Sequence, residues 1–244
     1  MIYAIIGASA GGGRALASQF ALEGHDLILV SSDERDLRAL ASDLSLRHRS
    51  RVAAVAADVM DGDGYLDRVA EVARGFGALD GVLFPLGATA EADDARLDPA
   101  LVAALTRINY EAVVSAISRF LPELRRRPRA TVVGFGSVAA LRGRGRNVAY
   151  AAAKRALQSA FESLRHACAD SEILVQFYVL GYMDTEQARG LSTRIPKGDP
   201  MAISRKVCRN LHRDVGLVYY PQFWSPIAGA VRLVPWAIFK RMRF

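Results

Sequence analysis

Short, wholly apolar runs alternate with amphipathic stretches along almost the entire chain. IYAII (residues 2–6) leads into GASAGGG and then into the helical stretch RALASQFALEG. DLILV precedes the helical DERDLRALASDLSLR. VAAVAA, GVLFPL, RATVVGFG, EILVQFYVL and GLVYY supply five more strand-like runs. A long helical stretch from about Asp98 to Leu121 lies ahead of RATVVGFG, and NVAYAAAKRAL follows it. Runs that are apolar at every position fit strands buried on both faces. Their alternation with helices predicts βαβ units with right-handed crossovers. The expected fold is α/β, a single-domain Rossmann-type doubly wound parallel sheet of about seven strands flanked by helices. No Pro/Gly/Ser-rich linker interrupts the pattern, so residues 1–244 read as one domain. The stretch from Tyr182 to Pro200 mixes polarity with chain breakers and reads as a flap over a site, with bounds of 182–205.

Composition adds little to this picture and charge adds more. Half of the 244 residues are hydrophobic, enough for a sizeable core. No repeat or low-complexity stretch is present. The apolar start has no basic segment and no cleavage site like those of a signal peptide, and no window of eighteen uncharged apolar residues occurs. Cys168 and Cys208 lack metal-ligand spacing and read as reduced thiols, which suits a cytoplasmic protein. The net charge of +7 comes from arginine, because only four lysines occur: Lys154, Lys197, Lys206 and Lys240. Arginines cluster at Arg125 to Arg129 and at Arg142, Arg144 and Arg146. Solvated loops explain such clusters, and so do phosphate groups or anionic lipid. Nucleic acid is disfavoured, because no aromatic platform is interleaved with these arginines.

Candidate chemistry starts at the glycines. Gly7, Gly11 and Gly13 fall between the first strand and the first helix, where a bare backbone and a helix N-terminus accept dinucleotide phosphates. Tyr150 and Lys154 stand four apart, so they share one helix face. A free tyrosine titrates near pH ~10. A neighbouring ammonium favours its phenolate, and the pair therefore reads as a tuned proton donor with its cation.

The G-x-x-x-G-x-G spacing, Asp58 in AADVMD, Gly87, Asn109 in RINYEAV, Ser137 thirteen residues before Tyr150, Y-x-x-x-K and LGYMDT together resemble the short-chain dehydrogenase/reductase family. The resemblance covers nearly the whole chain. It implies hydride transfer between a nicotinamide and a carbonyl/alcohol pair, with Asn109, Ser137, Tyr150 and Lys154 as the catalytic set. Ser137 would fix the substrate oxygen, Tyr150 would exchange its proton, and Lys154 would hold the ribose. Asn109 would hold a water that links Lys154 to solvent. Gly7, Ser9, Gly11, Gly13, Arg14, Ser31, Ser32, Asp58, Val59, Gly87, Gly181, Met183 and Thr185 would contact the cofactor along with Tyr150 and Lys154. Three places depart from the family pattern: Ile6 replaces threonine, FPLG at Phe84–Gly87 replaces N-N-A-G, and Leu180 replaces proline. Ser31 and Ser32 stand where an acid would select NAD, so NADP(H) is preferred over NAD(H). A homodimer or homotetramer through the helices after strands four and five is implied.

A narrower resemblance joins SDLSLRH, SVAALRGRGRNVAYAAAKRAL and VYYPQFWSPIAGAVRLVPWAIFKRMRF to bacterial reductases of the decaprenylphosphoryl-2-keto-ribose reductase type. It implies a polyprenyl-phosphate-linked keto-sugar as substrate. Generic carbonyl or 3-oxoacyl reduction is the enzymatic alternative, and a catalytically silent nucleotide-binding scaffold is the non-enzymatic one. Arg142, Arg144 and Arg146 would border the substrate mouth and meet a phosphate. The tail 225–244 mixes aromatic and basic residues, which suits peripheral contact with the inner face of the membrane. A core or subunit-interface helix would carry the same pattern.

Overall fold

The computed structural model describes residues 1–185 and 195–242. Among these residues seven strands form one sheet: β1 (Ile2–Ile6), β2 (Asp26–Ser31), β3 (Val52–Ala56), β4 (Gly81–Phe84), β5 (Thr131–Ser137), β6 (Leu174–Leu180) and β7 (Leu217–Tyr220). The order is β3-β2-β1-β4-β5-β6-β7, and every pairing is parallel. The order reverses between β1 and β4. That reversal opens a crevice at the carboxyl ends of the strands, where ligands of doubly wound sheets bind.

Two apolar layers explain why the strands are hydrophobic at every position. Ala4, Ile6, Ile28 and Val30 face the layer shared with α3 (Asp63–Phe76), α5 (Ala112–Leu124) and α6 (Val148–Ala167). Tyr3, Ile5, Leu27 and Leu29 face the layer shared with α1 (Gly11–Leu22), α2 (Glu34–His48) and α7 (Pro200–Asn210). The helix pattern is finer than the sequence suggested. The single stretch expected from Asp98 to Leu121 is α4 (Pro99–Thr106), a wide π-turn at Arg107–Glu111, and α5. Asp98 caps α4 by accepting from Leu101 N at 2.8 Å, with Pro99 behind it in the first turn. By length and apolar composition the whole rod could cross a membrane; here Leu105, Val113, Ala116 and Phe120 are buried in the protein core. The flap expected at 182–205 differs as well. Its last residues begin α7, capped by Asp199, and residues 186–194 lie outside the described residues.

Candidate active site

The glycine turn is built from backbone alone. Gly7 has φ +97, and its amide and that of Ala8 donate to Val30 O. A Cβ on Gly13 would lie 1.9 Å from Gly7 O, so only glycine lets α1 sit this close to β1. Ala10 precedes α1 and supplies no side-chain cap. The first helical amides are therefore available to an anion. Ser9 and Ser31 share a hydroxyl hydrogen bond at 2.6 Å. Arg14 donates to Ser9 O and pairs with Asp36, and Asp33 is engaged as the cap of α2. Ser32 is exposed. Asp58 caps the following turn through Met60 N, and half-buried Val59 comes next.

One cleft of about 750 Å³ runs from Gly12 past Gly87, Ser137, Tyr150 and Lys154 to Gly181, Met183 and Thr185. The residues that the sequence placed far apart meet here. Thr185 leans over the turn, since a Cβ on Gly11 would lie 3.4 Å from its Cγ2. Gly87 leaves open floor beside Lys154, whose Nζ would lie 3.3 Å from an added Cβ. The floor is thus shaped by what is missing from it, a form that suits a flat nicotinamide dinucleotide.

The polar groups of the cleft are held tightly. Lys154 is buried and donates to Leu86 O at 2.8 Å and Phe135 O at 3.1 Å. Burial lowers its ammonium from the ordinary value to about 7. Burial also raises the Tyr150 phenol, and the hydrogen bond with Ser137 opposes that rise. In the protein without nucleotide, burial sets the direction for Tyr150. Desolvation dominates both groups, so Tyr150 keeps its proton and Lys154 is only partly charged at neutral pH. Asn109 is fully buried inside the π-turn. Its Nδ2 donates to Ala88 O and Leu105 O, and its Oδ1 accepts from Ala88 N. Both of its donors are taken, so Asn109 braces the chain after β4, where FPLG lacks the family's asparagines.

Asp93 escaped sequence reading. It is buried, and its two carboxylate oxygens accept from Ala149 N and Tyr150 N, each at 2.9 Å. Asn147, in the left-handed region at φ 54, offers α6 no side-chain cap. Asp93 therefore caps the catalytic helix from another loop and grips Tyr150 by its backbone. Nothing local marks such a cap, because donor and acceptor stand 57 residues apart.

The three arginines do not act alike. Arg142 donates through Nη1 to Val231 O at 3.0 Å and to Val234 O, and it stacks 4.0 Å from the Phe239 ring. Through Nη1 and its stacked guanidinium it clasps the tail elbow made of α8 (Trp224–Leu233) and α9 (Trp236–Phe239), and it also lines the cleft. Arg144 and Arg146 line the cleft. The elbow's inner side chains, Trp224, Ile227, Val231 and Phe239, wall the same cleft. Trp224 Nε1 is buried and has no hydrogen-bond partner among the described residues, and an added Cβ on Gly181 would come within 1.9 Å of it.

The family model described as short chain dehydrogenase matches residues 2–195. An uncharacterised oxidoreductase of Mycobacterium tuberculosis is 30% identical over 250 residues, covering 98% of this chain and 94% of that one. A 3-oxoacyl-[acyl-carrier-protein] reductase of Chlamydia muridarum is 24% identical, covering 81% of each chain. A short-chain dehydrogenase from Sphingobium yanoikuyae in complex with NADPH superposes with a TM-score of 0.82 at 22% identity, covering 100% of this chain and 97% of that one.

Proposed function

The chain belongs to the short-chain dehydrogenase family and is an NAD(P)-dependent oxidoreductase; from that premise we propose that it works as an NADP(H)-preferring reductase of a carbonyl on an amphiphilic substrate. The carrying observation is the meeting of Ser137, Tyr150 and Lys154 on one cleft with the bare floor at Gly87. A nicotinamide bound there supplies or accepts the hydride. Ser137 donates a hydrogen bond to the substrate oxygen and holds it beside Tyr150. Tyr150 gives that oxygen its proton, and the rise of its pKa on burial keeps the donor loaded at neutral pH. Lys154, anchored on two carbonyls, would hold the ribose hydroxyls, and Met183 and Thr185 would orient the carboxamide.

Ser9, Ser31, Ser32 and Arg14 around the turn favour NADP(H), because hydroxyls and a guanidinium receive a 2′-phosphate that an acid would repel. Solved neighbours carry NADPH in one case and NAD in another, so the preference rests on these side chains. For the substrate, Leu141, Ile227, Val231 and Phe239 suit an apolar chain, and Arg144 and Arg146 suit an anionic group. A keto-sugar on a polyprenyl phosphate has both, and it would be reduced at the inner face of the membrane. The apolar wall also favours a 3-oxoacyl chain, the substrate class named for the Chlamydia relative. Assembly as a homodimer or homotetramer through α4–α5 and α6 completes the reading.

The test is NADPH oxidation with a polyprenyl-phosphate keto-sugar and with a 3-oxoacyl thioester. Turnover of the former, falling ~10²–10⁴-fold in Tyr150→Phe with nucleotide binding intact, is the expected result. Turnover of the thioester alone moves the substrate to the second reading. Full activity in Tyr150→Phe overturns the mechanism.

A further inference from the structure

The outer face of the α8–α9 elbow is unlike the rest of the surface. Leu233 is 84% exposed, Trp236 66%, Ile238 57% and Met242 42%. Arg232, Lys240 and Arg241 stand among them, and all three are exposed. No Asp or Glu occurs anywhere from Val215 to Phe244. Several surface arginines find acids: Arg38 pairs with Glu34, Arg51 with Asp26, Arg68 with Asp61 and Arg165 with Asp214. Among the described residues, the three elbow cations have no such ion pair. The face therefore combines large apolar side chains with uncompensated positive charge.

We propose that this elbow docks the protein on an anionic lipid surface, with Leu233, Trp236 and Ile238 entering the headgroup region and Arg232, Lys240 and Arg241 meeting lipid phosphates. The charge decides the occupant. A second copy meeting this patch about a two-fold axis would bring identical cations together with no acid on either side. An anionic leaflet supplies the missing counter-charge. The elbow is also held firmly enough to act as a platform. Arg142 ties its carbonyls at Val231 and Val234 and stacks on Phe239, whose ring is buried. Its inner face walls the cleft, so docking would set the cleft beside the lipid.

Flotation of the full chain with phosphatidylcholine vesicles, with and without phosphatidylglycerol, tests the proposal. The wild type floats with the anionic vesicles, and less so at high salt. The variant Arg232→Gln/Lys240→Gln/Arg241→Gln loses about a hundred-fold in partition coefficient. Leu233→Ser/Trp236→Ser/Ile238→Ser also stays behind, while its mass in solution is unchanged. Both variants keep NADPH binding, which reads the nicotinamide site separately from the lipid contact. Absence of flotation with anionic vesicles overturns the proposal, as does undiminished flotation of both variants. A fall in oligomer mass in the serine variant also overturns it and assigns the face to a second copy.

Discussion

The glycine turn and the α8–α9 elbow border one cleft, yet they are held by opposite means. The turn is fixed by backbone: Gly7 in the left-handed region, Gly13 against Gly7 O, and a helix start without a side-chain cap. The elbow is fixed by side chains that come from afar: Arg142 on its carbonyls, Phe239 under that guanidinium, and Trp224 over Gly181. A backbone requirement leaves its mark locally as glycine spacing. A long-range clasp leaves no local mark, because neither partner's neighbours differ from an ordinary surface loop or helix.

If the turn is set by close packing, position rather than glycine content should decide the outcome of a substitution. Gly13→Ala puts its Cβ into Gly7 O, whereas a Cβ on Gly12 meets nothing within 4 Å. Gly13→Ala should therefore cost ~3 kcal/mol or more of stability, together with nucleotide binding, while Gly12→Ala should melt like the wild type. Equal melting temperatures for the two would break the contrast.

The elbow sharpens the comparison from the other side. Arg142→Gln removes charged hydrogen bonds and a ring contact, so it should loosen the tail by about 2–3 kcal/mol. Amide exchange in residues 224–239 reads this directly, and the turn around Gly7 to Gly13 should keep its protection. Asp93→Asn should have a smaller effect, about 1–2 kcal/mol, because a carboxamide keeps one of the two acceptors that cap α6. Its kcat should fall more than its KM rises, since Tyr150 loses its backbone grip.

The last effect is electrostatic and appears as a slope with pH. The folded pKa of Lys154 is lowered to about 7, below the unfolded value of ~10.4. Between these values the unfolded chain binds the extra proton, so the protein without nucleotide gains stability as pH rises from 7, by up to about 1.4 kcal/mol per pH unit. Below pH 7 the full cost of burying this amine is present. Denaturant melts of Lys154→Met should lack that slope. An unchanged slope would mean that Lys154 is not the group responsible.

The same division governs what the sequence makes legible. Seven apolar runs predict seven parallel strands, and the observed strands differ only at their ends. GVLFPL, for example, stops as a strand at Phe84, because Pro85 cannot donate to the sheet. Ser137, Tyr150 and Lys154 meet as their spacing implies, since strand end and helix face are both local facts. The π-turn around Asn109 is hidden inside an even helical pattern, because only its buried contacts to Ala88 and Leu105 require it. Asp93 and the engagement of Arg142 were missed for the same reason. The lowered pKa of Lys154 depends on burial, which spacing does not report.

The most direct test of the central claim is a fluorescence titration of NADPH and NADH into the wild type and Tyr150→Phe. The account predicts saturable binding to both proteins, tighter for NADPH, with turnover only in the wild type. Binding of neither nucleotide by the wild type, or equal turnover by the two proteins, would contradict it.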